Sequence, residues 1–168
     1  MLVDMHGASL QAESEGVGKG ASFILEFAAV ERGTAPESAA DLPAASDRRR
    51  LLLVEDHATT AALMARLLRK RGHEVVLAHT KADAVAFGLD QRFDIVISDL
   101  GLPDGNGYEV MEALRKSPGV VGIALSGYGM DADVALSAKA GFQFHLTKPV
   151  DAQKLYQTIE QIASAQRA

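Results

Sequence analysis

One stretch restricts this chain to a narrow set of folds. Asp94-Ile95-Val96-Ile97-Ser98-Asp99 runs directly into Leu100-Gly101-Leu102-Pro103-Asp104-Gly105-Asn106-Gly107. A short apolar run bounded by turn residues reads as a buried strand of a parallel sheet. Open α/β sheets bind ligands in the crevice outside the carboxyl ends of their strands. Asp99 is therefore expected at the mouth of such a crevice.

The flanking sequence alternates short apolar strands with helical patterns, the signature of consecutive βα units. Strands are predicted at Arg50 to Val54, Glu74 to Ala78, the run ending at Asp99, Val121 to Leu125, and Phe144 to Thr147. Helices are predicted from about Thr59 to Lys70, from a Thr80 cap to Asp90, from Gly107 to Arg115, from Asp131 to Ala140, and from Asp151 to Ser164. In the first helix, Leu63/Leu67 and Met64/Leu68 form i,i+4 pairs assigned to the inner side, and Gly72 closes the helix. Leu155, Ile159 and Ile162 form one stripe of the last. Right-handed crossovers with helices on both faces give a doubly wound, five-stranded parallel sheet of flavodoxin-like order 2-1-3-4-5.

Residues 1–30 differ in pattern. Met1 to His6 reads as the last turn of a helix. Ser9 to Ser14 and Ala21 to Val30 read as two strands joined by Gly16-Val17-Gly18-Lys19-Gly20, with Phe23, Leu25 and Phe27 on one face. An isolated hairpin is marginal in water, so this one is expected to stay mobile or to lie on another surface. The Gly-Lys pair is not a phosphate-binding loop: that motif needs Gly where Glu13 stands and Ser or Thr where Gly20 stands. Residues 31–48, rich in Ala, Ser, Pro and acidic residues, read as a linker. The expected organisation is an appendage over 1–30, a linker over 31–48 and the α/β domain over 49–168.

Composition excludes several classes. Cysteine is absent from the 168 residues, which removes disulfide and thiolate chemistry. No apolar run approaches bilayer-spanning length, and the N-terminus lacks the pattern of a signal peptide, so a cytoplasmic location is expected. The formal charge of −5 argues against a nucleic-acid surface. Arg48-Arg49-Arg50 and Arg69-Lys70-Arg71 read as a strand lead-in and a solvated helix end. Homodimer formation is left open.

The predicted strand ends carry Glu55-Asp56, Asp99, Ser126 and Lys148. Clustered carboxylates repel one another unless a cation neutralises them. Oxygen ligands with open positions suit Mg²⁺, which keeps waters for a phosphate to replace. A carboxylate can be the nucleophile of phosphoryl transfer, leaving the protein chiefly to position the group and neutralise its charge. Lys148 supplies a compact cation and Ser126 a hydroxyl. Each residue taken alone has a plain explanation as a turn former, strand exit or helix cap. Their joint placement at four strand ends does not.

Two resemblances follow from these residues. Leu53-Val54-Glu55-Asp56, Asp94 to Asp99 with Leu102-Pro103, Ala124-Leu125-Ser126-Gly127 and Leu146-Thr147-Lys148-Pro149 resemble a response-regulator receiver domain over residues 49–168. The resemblance implies that Asp99 accepts phosphate from a histidine. It implies that Glu55, Asp56, Asp99 and the Gly101 backbone carbonyl hold Mg²⁺, and that Ser126 and Lys148 hold the phosphoryl group. It also implies a commonly cis Lys148-Pro149 bond and a histidine kinase or histidine phosphotransfer protein as partner. The family's switch position, three residues before the lysine, is usually Tyr or Phe; here it is His145.

Leu2 to Ser9, Glu13 to Gly16 and Gly18 to Phe23 resemble the C-terminal end of a histidine-kinase ATP-binding domain. The pair implies the C-terminal part of a hybrid sensor histidine kinase, without the nucleotide boxes, so that the chain is a phosphoacceptor and not an ATP-dependent enzyme. His6 reads as a helix-end residue; His57, beside the acidic pair, reads as a residue leading into a helix, with lining the mouth of the site as the alternative. The last predicted helix ends near Ala168, leaving no room in this sequence for a helix-turn-helix output domain. Output is expected through protein contacts on the face of the last two helices and the fifth strand.

Three rivals are weaker. A phosphohydrolase resembling the haloacid dehalogenases needs a second Asp where Gly101 stands. A flavodoxin-like FMN binder needs a Ser/Thr/Gly-rich loop where Glu55-Asp56 stands, and a purely structural docking module would not need the acidic set.

Overall fold

The computed structural model describes residues 8–14, 16, 18–20, 22–27, 48–127 and 131–166. The chain divides into two compact units, Met1–Ser38 and Ala39–Ala168.

In the first unit, β1 (Ala8–Glu13) pairs antiparallel with β2 (Ser22–Phe27), Ala8 opposite Phe27 and Glu13 opposite Ser22. β1 keeps its predicted length but starts one residue earlier, and within the predicted Ala21 to Val30 the described strand covers Ser22–Phe27. Gly16, Gly18 and Gly20 adopt φ of 116°, 80° and 81°, a region open to glycine but strained for other residues. The connection is thus a hairpin loop. Phe23 is 71 % exposed. The predicted turn at Met1 to His6, the linker, and the side chains of Leu25 and Phe27 lie outside the described residues.

The second unit is built on β3 (Arg50–Val54), β4 (Glu74–Ala78), β5 (Ile95–Asp99), β8 (Val121–Ser126) and β9 (Phe142–Thr147). These form one parallel sheet of order β4-β3-β5-β8-β9, the expected 2-1-3-4-5 arrangement. Successive side chains point to opposite faces, and both faces are covered. Leu51, Leu53, Ile95 and Ile97 pack under α1 (Ala58–Lys70) and α5 (Ala152–Ala165), against Met64, Leu68, Leu155 and Ile159. Leu52, Val54 and Val96 pack against Ala84 of α2 (Lys81–Asp90) and Val110, Met111 and Leu114 of α3 (Gly107–Leu114). The fourth helix, α4, spans Asp131–Ala140.

Caps set several helix starts. The side chains of Thr80, Asn106 and Asp151 accept the backbone N–H groups of Asp83, Glu109 and Lys154. At its other end α1 is followed by Gly72 at φ 88°. The buried stripe of α1 is Ala61, Met64, Ala65 and Leu68. Leu63, expected inside with Leu67, is 58 % exposed instead. Two adjacent stripes of this helix are apolar, and small alanines let the 61/64/65/68 stripe sit closest to the sheet.

Two features were not anticipated. The loop after Asp99 folds into a short antiparallel pair, β6 (Gly101–Leu102) with β7 (Gly105–Asn106), around Pro103-Asp104. Strand β9 starts at Phe142 rather than Phe144, because its pairing with β8 is irregular between Gly122 and Ile123. There the Gln143 side chain accepts the Gly122 N–H at 2.6 Å in place of a ladder bond. Among the described residues no helix is long and apolar enough to cross a membrane.

Candidate functional site

Four strand ends deliver the candidate residues to one edge of the sheet. Glu55 follows β3, anchored by its N–H to the Ala78 carbonyl at 3.0 Å. Its side chain is only 1 % exposed, and a carboxylate so buried requires compensation. Lys148, just beyond β9, provides it. The Lys148 ammonium donates to Glu55 Oε2 at 2.7 Å and to Asp99 Oδ2 at 2.6 Å. Burial disfavours the charged lysine, but the bonds from Asp99 and Glu55 outweigh it and hold its pKa above the usual lysine value.

Asp99 ends β5 and is 9 % exposed. Its Oδ1 accepts the Gly101 N–H at 3.1 Å, and its backbone oxygen accepts the Ser98 hydroxyl at 2.8 Å. The loop beyond is tied back by Leu100 N–H to Leu125 O at 3.0 Å and Gly107 N–H to Leu100 O at 3.1 Å. Asp104, at the tip of that loop, accepts the N–H groups of Lys81 and Ala82 at the start of α2 (2.7 and 2.9 Å). These two backbone bonds lower its pKa, Ala82 contributing more.

Ser126 closes β8, and its carbonyl accepts the Lys148 N–H at 2.7 Å. Its hydroxyl lies 2.7 Å from Nε2 of half-buried His145, whose Nδ1 lies 3.0 Å from the hydroxyl of buried Ser137 on α4. Ser137 donates its one proton to the Val134 carbonyl at 2.9 Å. It must then accept from His145 Nδ1–H, which leaves Nε2 of a neutral ring as an acceptor for the Ser126 proton. Hydrogen-bond inventory thus assigns the tautomer and directs the Ser126 hydroxyl toward His145.

Asp56 and His57 occupy the turn between β3 and α1. His57 Nδ1 lies 2.7 Å from Asp56 Oδ1 and 3.4 Å from Glu55 Oε1. Partial burial works against the Asp56 charge, yet the neighbouring imidazole holds its pKa below the ordinary value; Asp56 in turn raises that of His57. Potential ligand atoms of Glu55, Asp56 and His57 all lie within 4.8 Å of one another. The donor set fits a divalent cation: two carboxylates at an edge that opens toward Asp99. In this arrangement Asp99 is engaged by Lys148, and His57, read from sequence as a plain helix-leading residue, completes the cluster. Its adjacency to Glu55-Asp56 was the available signal.

The Lys148-Pro149 bond is cis. Among the described residues, two further histidines are occupied locally: His79 Nδ1–H donates to the Glu55 carbonyl at 2.9 Å, and His73 Nδ1 accepts the Arg49 N–H at 3.3 Å. Beside Lys148 and Glu55 a groove of about 520 Å³ runs between α1 and α5, lined by Leu63, Met64, Leu67, Pro149, Leu155 and Tyr156 among others. Exposed Leu63 belongs to this groove.

Known proteins share this sequence and architecture. The profile of the family described as "Response regulator receiver domain" matches residues 51–160. The photosynthetic apparatus regulatory protein RegA of Rhodobacter capsulatus is 38% identical over 108 residues, covering 64% of this chain and 59% of RegA. The sensor histidine kinase AruS of Pseudomonas aeruginosa is 30% identical over 170 residues, 98% of this chain but 17% of AruS. The chain therefore spans only part of the length of either relative. A response regulator receiver domain protein from Methanospirillum hungatei JF-1 superposes with a TM-score of 0.68 at 28% identity, covering 71% of this chain and 97% of that one. Sequence, sheet order and matched span agree, and the chain belongs to the response regulator receiver domain family of two-component systems.

Proposed function

We propose that this receiver is a phosphoacceptor in a phosphorelay, with Asp99 as the residue that carries the phosphoryl group. The supporting observation is the Lys148 ammonium set between Glu55 and Asp99, beside a strand end that offers the Ser126 hydroxyl. An Asp99 carboxylate oxygen attacks phosphorus of a phosphohistidine; the O–P bond forms as the P–N bond breaks, and the released imidazole takes up a proton. Lys148 turns from the Asp99 carboxylate to the phosphoryl oxygens, and Ser126 donates to another of them. Glu55, Asp56, Asp99 and the Gly101 carbonyl would hold Mg²⁺, which supplies charge neutralisation and orientation of the phosphoryl oxygens.

The wider context follows the same reading. Residues 1–30 are the remnant of a histidine-kinase catalytic domain, 31–48 a linker and 49–168 the receiver, together forming the C-terminal part of a cytoplasmic hybrid sensor histidine kinase. The match to AruS across nearly the whole chain supports this. The receiver promotes its own phosphorylation and dephosphorylation but is no ATP-dependent kinase. Its partners are a histidine kinase or histidine phosphotransfer protein, and not nucleic acid.

Intact mass after incubation with acetyl phosphate and Mg²⁺ tests the reading. One added phosphoryl group is expected on the wild type, and none on Asp99→Ala or without Mg²⁺. No adduct on folded, Mg²⁺-binding protein given a phosphohistidine donor, with rapid hydrolysis excluded, would reduce the domain to a docking module.

A further inference from the structure

We infer that His57 is a nitrogen ligand of the divalent-cation site, making this receiver favour imidazole-binding cations such as Ni²⁺ over Mg²⁺. The inference rests on the reading of Glu55 and Asp56 as cation ligands.

Three donor atoms carry it. His57 Nδ1 lies 2.7 Å from Asp56 Oδ1 and 3.4 Å from Glu55 Oε1. Adjacent ligands of an octahedral cation with bonds of about 2.1 Å are roughly 3 Å apart, a separation that these two values bracket. Glu55 and Asp99 each give one oxygen to Lys148, so Glu55 Oε1 remains on the His57 side of the buried carboxylate. The His57 backbone N–H reaches the same Oε1 at 3.4 Å, which keeps that oxygen turned toward the His57 side.

The position of His57 favours the role sterically. It is the N-cap residue of α1, with extended backbone (φ −77°, ψ 102°), and its side chain makes no capping bond to the helix. Its side chain is 75 % exposed, so a cation can approach without displacing core atoms. Carboxylate and water sites suit Mg²⁺ and Mn²⁺, whereas an imidazole shifts preference toward Ni²⁺ and later divalent ions. A cation here takes the place of the hydrogen between His57 and Asp56.

The test is electron spin echo spectroscopy of the Mn²⁺-loaded protein, with competition binding of Ni²⁺ against Mg²⁺. Wild type should show ¹⁴N modulation from one imidazole. His57→Ala should lose it and reduce the Ni²⁺/Mg²⁺ affinity ratio by about tenfold or more, the scale on which ligand-shell changes act. His79→Ala, which removes the imidazole bonded to the Glu55 carbonyl, should retain the modulation. If Mn²⁺ binds, is lost in Asp56→Asn, and shows no nitrogen coupling, the His57 inference is overturned and the cation-site reading stands. If Asp56→Asn leaves all divalent binding unchanged, the cation-site reading fails first, and the inference with it.

Discussion

His145 Nε2 sits 2.7 Å from the Ser126 hydroxyl, and Nδ1 of the same ring lies 3.0 Å from the Ser137 hydroxyl. Under the proposed phosphoacceptor role, a phosphoryl oxygen on Asp99 would take the Ser126 proton, so the two bonds would compete. His145→Phe removes the acceptor while keeping a ring. It should favour the phosphorylated state by roughly one hydrogen bond, about 1 kcal/mol or some fivefold in the phosphorylated-to-free ratio. Ser137→Ala, which removes the partner that sets the tautomer, should fall between the two. Intact-mass time courses with acetyl phosphate read both; identical time courses in all three proteins would show that the Ser126–His145–Ser137 chain does not oppose phosphorylation.

Lys148 neutralises two carboxylates that burial has stripped of water. Lys148→Met should lower stability by about 1–2 kcal/mol, a value discounted because the ammonium is partly solvated. It should at the same time tighten Mg²⁺ binding, since a competing cation is gone, while phosphorylation falls. Urea midpoints with and without Mg²⁺ check the first two effects: the metal should restore more stability to the variant than to the wild type.

Gly107, the first residue of α3, packs directly under the backbone oxygen of Asp99, too closely for any Cβ. Gly107→Ala must displace either the helix start or the candidate phosphoacceptor, at a cost of about 1–3 kcal/mol. Phosphorylation should slow in parallel. A Cβ on Gly101 meets no atom within 4 Å, so Gly101→Ala should leave thermal stability near that of the wild type.

Asp104 carries a pH dependence. Its folded pKa is depressed by the Ala82 and Lys81 amides, so its contribution is full above the unfolded value near ~4 and fades as pH falls through the lower folded value. Asp104→Asn should therefore destabilise the domain at pH 6–7, and the gap to wild type should close in strongly acidic buffer. Amide exchange should quicken in the variant at whichever of Lys81 and Ala82 faces the new amide nitrogen, because Asn keeps one acceptor oxygen where the carboxylate gives each N–H its own. A stability gap that stays constant down to pH 2 would show that the carboxylate charge is not what holds the loop.

Several elements were legible because their causes are local. Periodicity placed α2 at its observed bounds, Thr80 acts as the expected cap across three residues, and strands β3 and β4 end where their apolar runs end. The parallel order followed from alternating strands and helices under a handedness rule, and that order alone brings Glu55, Asp99, Ser126 and Lys148 to one edge.

Other features depended on contacts that no local pattern encodes. Leu63 and Met64 are equally apolar neighbours, and only the docked sheet decides that Met64 goes inside while Leu63 lines a groove. The start of β9 hangs on Gln143 reaching Gly122 across a strand irregularity. The tautomer of His145 depends on a helix serine and on the carbonyl that serine has already engaged. Sequence by itself determined the sheet, its order and the residue types at its edge, because burial and periodicity act along the chain. Tertiary structure alone decided how those side chains pair: Lys148 between two carboxylates, His57 within the acidic cluster, and His145 between two hydroxyls. Pairing energies depend on ångström-scale distances between segments far apart in sequence.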